Sequence, residues 1–161
     1  MIRLAGAWDA GDIASIWNPV IRETAITFNA VEKDPDELVR FMAARADAGQ
    51  ATFVAEEDGA VLGFATYGQF RGGVGYARTM EHTVMLAEAA RGRGLGRGLM
   101  AAVEDHARAG GAHSMIAGVS GDNPDGVAFH AALGYVELAR LPEVGWKNGR
   151  WLDLVLMQKK L

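Results

Sequence analysis

The sequence predicts an α+β fold in which helices pack on a mixed β-sheet. Two apolar, partly alternating runs joined by turn residues lie in the first half, and strand-like and helix-like segments alternate in the second. No repeat, low-complexity tract or linker divides the 161 residues, so a single domain over 1–161 is expected.

Ile2 to Trp8 reads as a short strand, and Asp9 or Asp12 can cap a helix carrying Ile13, Ile16, Trp17 and Val20, its extent left open by Pro19. Residues 24–32 read as a loop. Asp34, Pro35, Asp36 and Glu37 supply a cap, an early proline and first-turn acids for a helix to about Ala48, ended by Gly49. Ala51–Glu57 and Ala60–Phe70 flank Glu57-Asp58-Gly59, which is hairpin turn chemistry. After the Gly72–Gly75 break come a strand from Tyr76 to Ala87, a glycine-rich turn, and a helix from Gly94 to Ala109 closed by Gly110-Gly111. Ser114–Val119 is a strand, and Asp122-Asn123-Pro124 opens a helix through Leu133. Tyr135–Ala139 and Trp151–Gln158 complete the strands.

Composition excludes several functions. There is no cysteine, which removes thiol catalysis, disulfides and thiolate metal sites. His82, His106 and His113 show no ligand-like grouping, so no metal is expected; His106 and His113 read as surface residues. No apolar run approaches the roughly 20 residues of a membrane span, and the N-terminus lacks an export pattern, so a cytoplasmic protein without a membrane partner is expected. A net charge of −4 argues against nucleic-acid binding. Within that acidic chain, Arg91, Arg93 and Arg97 crowd one glycine-rich stretch, pointing to a small anionic partner.

That stretch, Arg91-Gly92-Arg93-Gly94-Leu95-Gly96-Arg97-Gly98, follows a predicted strand and opens a predicted helix, where main-chain N–H groups can face an anion. A dinucleotide fingerprint would need a third glycine three residues after the second, where Arg97 and Leu99 stand, and a phosphate-binding loop would need Gly-Lys-Ser/Thr. The spacing of Arg91, Gly94 and Gly96 resembles the Arg/Gln-x-x-Gly-x-Gly/Ala signature of the GNAT superfamily of N-acetyltransferases. Further stretches resemble its phosphinothricin and methionine sulfoximine acetyltransferase branch: Asn18–Ile21 with Thr24–Phe28, Thr79–Val84, His130–Tyr135 and Gly149–Leu154. Met85 and Leu86 depart from the Tyr-Val common there.

The resemblance implies a mixed, mostly antiparallel sheet of six to seven strands with helices on both faces. It also implies a homodimer using acetyl-CoA and a small amino-acid-like acceptor. It assigns coenzyme binding to Val84, Met85, Leu86, the Arg91–Arg97 turn (Arg91, Gly92, Arg93, Gly94, Leu95, Gly96, Arg97) and Asn123, with Asn123 equally suited to capping a helix. An alkyl amine must lose a proton before it attacks a thioester. Glu81 matches the family's base, with a raised pKa expected from partial burial; pairing with Arg78 or His82 is the alternative. His130 stands where many members hold a tyrosine near the coenzyme sulfur; it is either a catalytic acid or a helix histidine satisfied by a carbonyl. Which of His130, water or Tyr135 gives the last proton stays open. Arg71 and Arg78 are candidates for the acceptor carboxylate, with Phe28, Thr27, Thr83 and Glu81 around it and Trp151 at the pocket or the subunit interface. A peptide acetyltransferase and a non-catalytic acyl-CoA sensor are the competing readings.

Overall fold

The computed structural model describes residues 1–161 and contains one seven-stranded sheet with four α-helices. In chain order these are β1 (Ile2–Leu4), α1 (Ala10–Glu23), α2 (Pro35–Asp47), β2 (Thr52–Glu57), β3 (Ala60–Gln69), β4 (Thr79–Leu86), α3 (Leu95–Ala109), β5 (Ser114–Ser120), α4 (Pro124–Ala132), β6 (Val136–Lys147) and β7 (Arg150–Lys160). The strand order is β1-β2-β3-β4-β5-β7-β6, and only β4 and β5 run parallel.

The helices cover both faces. On one, Ile13, Trp17 and Ile21 of α1 and Leu38 of α2 bury against Val54 and Phe64. On the other, Leu99, Met100 and Val103 of α3 bury against Met115, Val155 and Met157. No helix is long and apolar enough to cross a membrane.

Four boundaries differ from expectation. β1 ends at Leu4 because Ala7–Asp9 form a 3-10 turn, with Trp8 79% exposed. Asp9 sits at the α1 N-cap, yet its carboxylate accepts from Gly6 N–H and from Arg3 rather than from the helix; α1 runs unbroken through Pro19. β4 starts at Thr79, since Val74–Tyr76 also form a 3-10 turn. β6 does not stop at Ala139 but reaches Lys147, folding back on β7 through Asn148-Gly149, both at positive φ (52° and 73°). Asn-Gly between two strands is the turn signal that favours such a hairpin.

The parallel junction positions the site. β4 and β5 pair only from Thr79 with Ser114 to Glu81 with Ile116, while β4 continues to Leu86 and β5 to Ser120. Beyond Glu81 the two strands are unpaired with each other, and a wedge opens in the sheet. Main-chain groups on the wedge side of β4 lack the ladder that β3 provides on the other side.

Candidate active site

Alternation along β4 sends Glu81, Thr83 and Met85 toward α1 and α2, and His82, Val84 and Leu86 toward α3 and α4. Two cavities of about 540 and 560 Å³ meet at the wedge. The first is lined by Glu81, Thr83, Thr27, Phe28 and Arg71, with Trp17, Leu141 and Leu154 among its apolar walls. The second is lined by Arg91, Gly92, Gly94, Gly96, Arg97 and Leu86. Ile26, Val84, Met85, Asn123 and His130 belong to both. The fold therefore joins the two sets of predicted residues across one shared wall.

Several predicted residues lie outside both linings, among them Trp151, which is exposed on β7. Arg78 is exposed, and its carbonyl accepts from the N–H groups of His113 and Ser114 at the start of β5. Arg93 turns away to an ion pair with Glu57. Leu95 packs its side chain against the core under α3.

The glycine turn suits an anion through its main chain. Gly94 is the N-cap of α3 at φ 79°, a left-handed conformation that a side chain would strain. The N–H groups of Leu95, Gly96 and Arg97 begin the helix and have no intrahelical acceptor. A Cβ at Gly92 or Gly94 would meet no atom within 4 Å, so open space surrounds the turn there. Gly96 answers a different demand, since its Cβ would lie 3.2 Å from the Phe129 ring of α4. Together with Arg91 and Arg97, these features fit a pyrophosphate.

Asn123 performs the capping role, its Oδ1 accepting from Gly126 N–H at 2.9 Å, while also lining both cavities. His130 is buried and both ring nitrogens are engaged: Nδ1 lies 2.7 Å from the Gly126 carbonyl and Nε2 lies 3.2 Å from His82 Nε2. A carbonyl only accepts, so Nδ1 carries the hydrogen, and neutral His130 accepts at Nε2 from His82. His82 Nδ1 is then a buried acceptor with no partner. Burial lowers the pKa of both rings, His82 to about 3, so the pair is neutral at pH 7. This arrangement matches the carbonyl-satisfied reading of His130 and leaves no N–H free for a leaving group. The Tyr135 hydroxyl is committed elsewhere: it donates to the buried Glu104 at 3.0 Å, and Lys159 holds the other oxygen.

Comparison with known proteins settles the family. The profile of the acetyltransferase (GNAT) family matches residues 17–135. The chain belongs to the GNAT family. Two curated relatives are the L-amino acid N-acyltransferase MnaT of Escherichia coli, 40% identical over 99% of this chain and 93% of its own, and the L-methionine sulfoximine/L-methionine sulfone acetyltransferase of Salmonella typhimurium, 39% identical over 99% and 94%. The structure of a GNAT phosphinothricin acetyltransferase from Sinorhizobium meliloti in complex with acetyl-CoA superimposes with a TM-score of 0.95 at 30% identity, covering 100% of this chain and 88% of the other.

In this GNAT chain Glu81 stands at the last paired position of the parallel junction, and it makes no ion pair with Arg78 or His82. Its Oε1 would lie 3.6 Å from a Cβ on Gly118 across the wedge, so glycine there keeps the carboxylate's surroundings open. Glu81 is exposed to the cavity rather than partly buried as expected, yet desolvation by the surrounding protein raises its pKa, and the Arg45 guanidinium pulls it partly back. Arg45 was not legible as part of the site. It extends from α2 over Gly68, the residue opposite Glu81 in β3, where a Cβ would collide with its Nη1. The pairing of His82 is hidden for a related reason: its partner is not Glu81 but His130, 48 residues away in sequence.

Proposed function

We propose that this GNAT protein acetylates the α-amino group of a small amino-acid-like acceptor, of the methionine sulfoximine, methionine sulfone or phosphinothricin type. Transfer from acetyl-CoA is direct, within a ternary complex and one domain spanning residues 1–161. The observation that carries this reading is the junction itself: an unpaired carboxylate exposed to one cavity shares a wall with the arginine-glycine turn of the other.

The Leu95–Arg97 amides, Arg91 and Arg97 would hold the coenzyme's pyrophosphate, Asn123 its arm, and the wedge-side main chain of Val84–Leu86 its acyl end. Acetyl-CoA, when bound, supplies an activated acyl carbon as a thioester. Glu81 takes the proton from the acceptor's ammonium group at its carboxylate, directly or through one water. Arg71, which lines the acceptor cavity, is the cation for the acceptor's carboxylate; Arg78 is assigned no part. Phe28, Trp17 and Leu154 form apolar walls that exclude water. His130, neutral and doubly bonded, shapes the shared wall, which leaves water as the proton source for the departing thiolate. Thiol release with methionine sulfoximine, methionine sulfone and phosphinothricin is the test. Turnover with one of them supports the acceptor class; silence across the panel with intact acetyl-CoA binding moves the acceptor to other amines or to peptides.

The protein is further proposed to be a cytoplasmic homodimer. β6 is a long edge strand, and Val136, Leu138, Val144, Trp146 and Trp151 are exposed apolar side chains on its hairpin with β7. Trp146 and Trp151 pair across the strands with ring centroids 4.7 Å apart. Such an edge favours pairing with another chain. Light scattering is expected to give twice the 17.2 kDa chain mass, and W146E/W151E to give the monomer. A wild-type monomer at micromolar concentration refutes the dimer.

A further inference from the structure

The β6–β7 hairpin carries a second feature that the chemistry above does not use. Lys147 is only 3% exposed, yet no carboxylate pairs with it. Its ammonium donates one hydrogen bond, to the Thr27 carbonyl at 2.8 Å, across 120 residues of sequence. Burying an ammonium is costly unless it is hydrogen-bonded, and burial lowers its pKa here. The bond therefore requires an account.

Its partner is the loop between α1 and α2. That loop is anchored at its ends, where Thr24 N–H donates to the Val20 carbonyl and Asn18 bridges to the main chain of Lys33. Between those anchors its main chain makes only short turns closed by Thr24, Thr27 and Asn29 side chains. Lys147 is the side chain from the sheet that hydrogen-bonds to this stretch. Thr27 and Phe28 in the same stretch line the acceptor cavity.

A second observation converges on the same place. A Cβ on Gly145 would lie 2.6 Å from the Phe28 ring, so the ring approaches the β6 main chain where only glycine leaves room. β6 bends there: between Leu141 and Gly145 its register with β7 slips, and Glu143, at φ 54°, donates its N–H to Asp153 at 2.9 Å. The Gly149–Leu154 stretch singled out in the sequence thus holds the bulge that brings Gly145 and Lys147 under the loop.

We infer that Lys147 is a positioning residue for the acceptor site: its ammonium straps the Thr27–Phe28 wall onto the β6–β7 hairpin and so sets the fit of the acceptor, independently of coenzyme binding. This rests on the acceptor cavity proposed above. Lys147→Met removes the donor while keeping the aliphatic stem, Lys147→Arg retains a cation, and Gly145→Ala displaces Phe28 without touching the strap.

Two readouts separate the strap from the acceptor assignment. Hydrogen exchange on the intact protein needs no substrate: in Lys147→Met the amides of residues 25–31 are expected to exchange about tenfold faster, with those of β3 and α3 unchanged. With a turned-over acceptor, its KM is expected to rise roughly ten- to a hundredfold, the range of a hydrogen bond to a charged group, while the KM for acetyl-CoA stays at the wild-type value. Lys147→Arg restores part of both, and Gly145→Ala raises the acceptor KM alone. Unchanged loop exchange in Lys147→Met, exchange raised equally throughout the molecule, or a parallel rise in both KM values overturns the inference. Loop-confined exchange with a silent acceptor panel upholds the strap and rejects the acceptor class instead.

Discussion

Glu81→Gln is expected to lower kcat about 10²- to 10⁴-fold, the usual contribution of a positioned general base, with the KM for acetyl-CoA unchanged. The amide keeps the shape of the side chain but cannot take a proton from the acceptor's ammonium group. The pH profile makes the assignment specific. Desolvation raises the carboxyl's pKa, so Glu81 is protonated and inactive at low pH, and activity rises as pH climbs through that raised value. The acid limb of kcat/KM should therefore lie above the ordinary carboxylate range of about 4. It should move to still higher pH in Arg45→Met, because the opposing cation is gone, and it should vanish in Glu81→Gln. Steady-state rates from pH 5 to 9 decide the matter. Full turnover by Glu81→Gln, or an acid limb indifferent to Arg45, removes Glu81 from the role of base.

Phe64→Ala is expected to destabilise the protein by about 3 to 5 kcal/mol, the range for truncating a buried aromatic. Phe64 is 1% exposed in the middle of β3, with its ring 4.9 Å from that of Trp17 in α1. Against a total stability of roughly 5 to 15 kcal/mol, the variant should unfold at much lower urea concentration. The effect on function should be directional. Phe64 packs on Trp17 of α1, which lines the acceptor cavity and not the other, whereas the glycine turn opens α3 on the other face. Acceptor KM should therefore rise more than the KM for acetyl-CoA. Urea denaturation showing a loss below about 1 kcal/mol would mean that the site collapses around the deletion and that α1 is seated by other contacts.

Much of the architecture could be read from local chemistry. Asp34, Pro35 and the acids after them start α2 at the predicted residue because a cap acts within one turn: Asp34 Oδ1 accepts from Asp36 and Glu37 N–H groups. The Glu57-Asp58-Gly59 turn, with Asp58 and Gly59 at φ 51° and 81°, places β2 beside β3 for the same short-range reason. The length of β6 is missed: the apolar pattern stops at Ala139, and the Asn148-Gly149 turn signal is not joined to it. There the bulge before Gly145 breaks the alternation on which a strand is recognised.

The site divides along the same line. Gly94, Gly96 and Arg91 mark the turn proposed to hold the anion because strand, turn and helix start are consecutive, and Glu81 is marked by the family resemblance of the strand ahead of them. Arg45 over Gly68, His82 against His130, Tyr135 turned to Glu104, and Lys147 on Thr27 are pairs between distant segments. Elements and turns follow from interactions a few residues long, written in periodicity, caps and permitted φ. Whether a charge is free, paired or neutralised depends on which segments the sheet order and the α1–α2 packing bring within about 3 Å of one another, a separation at which hydrogen bonds form and which no local pattern encodes.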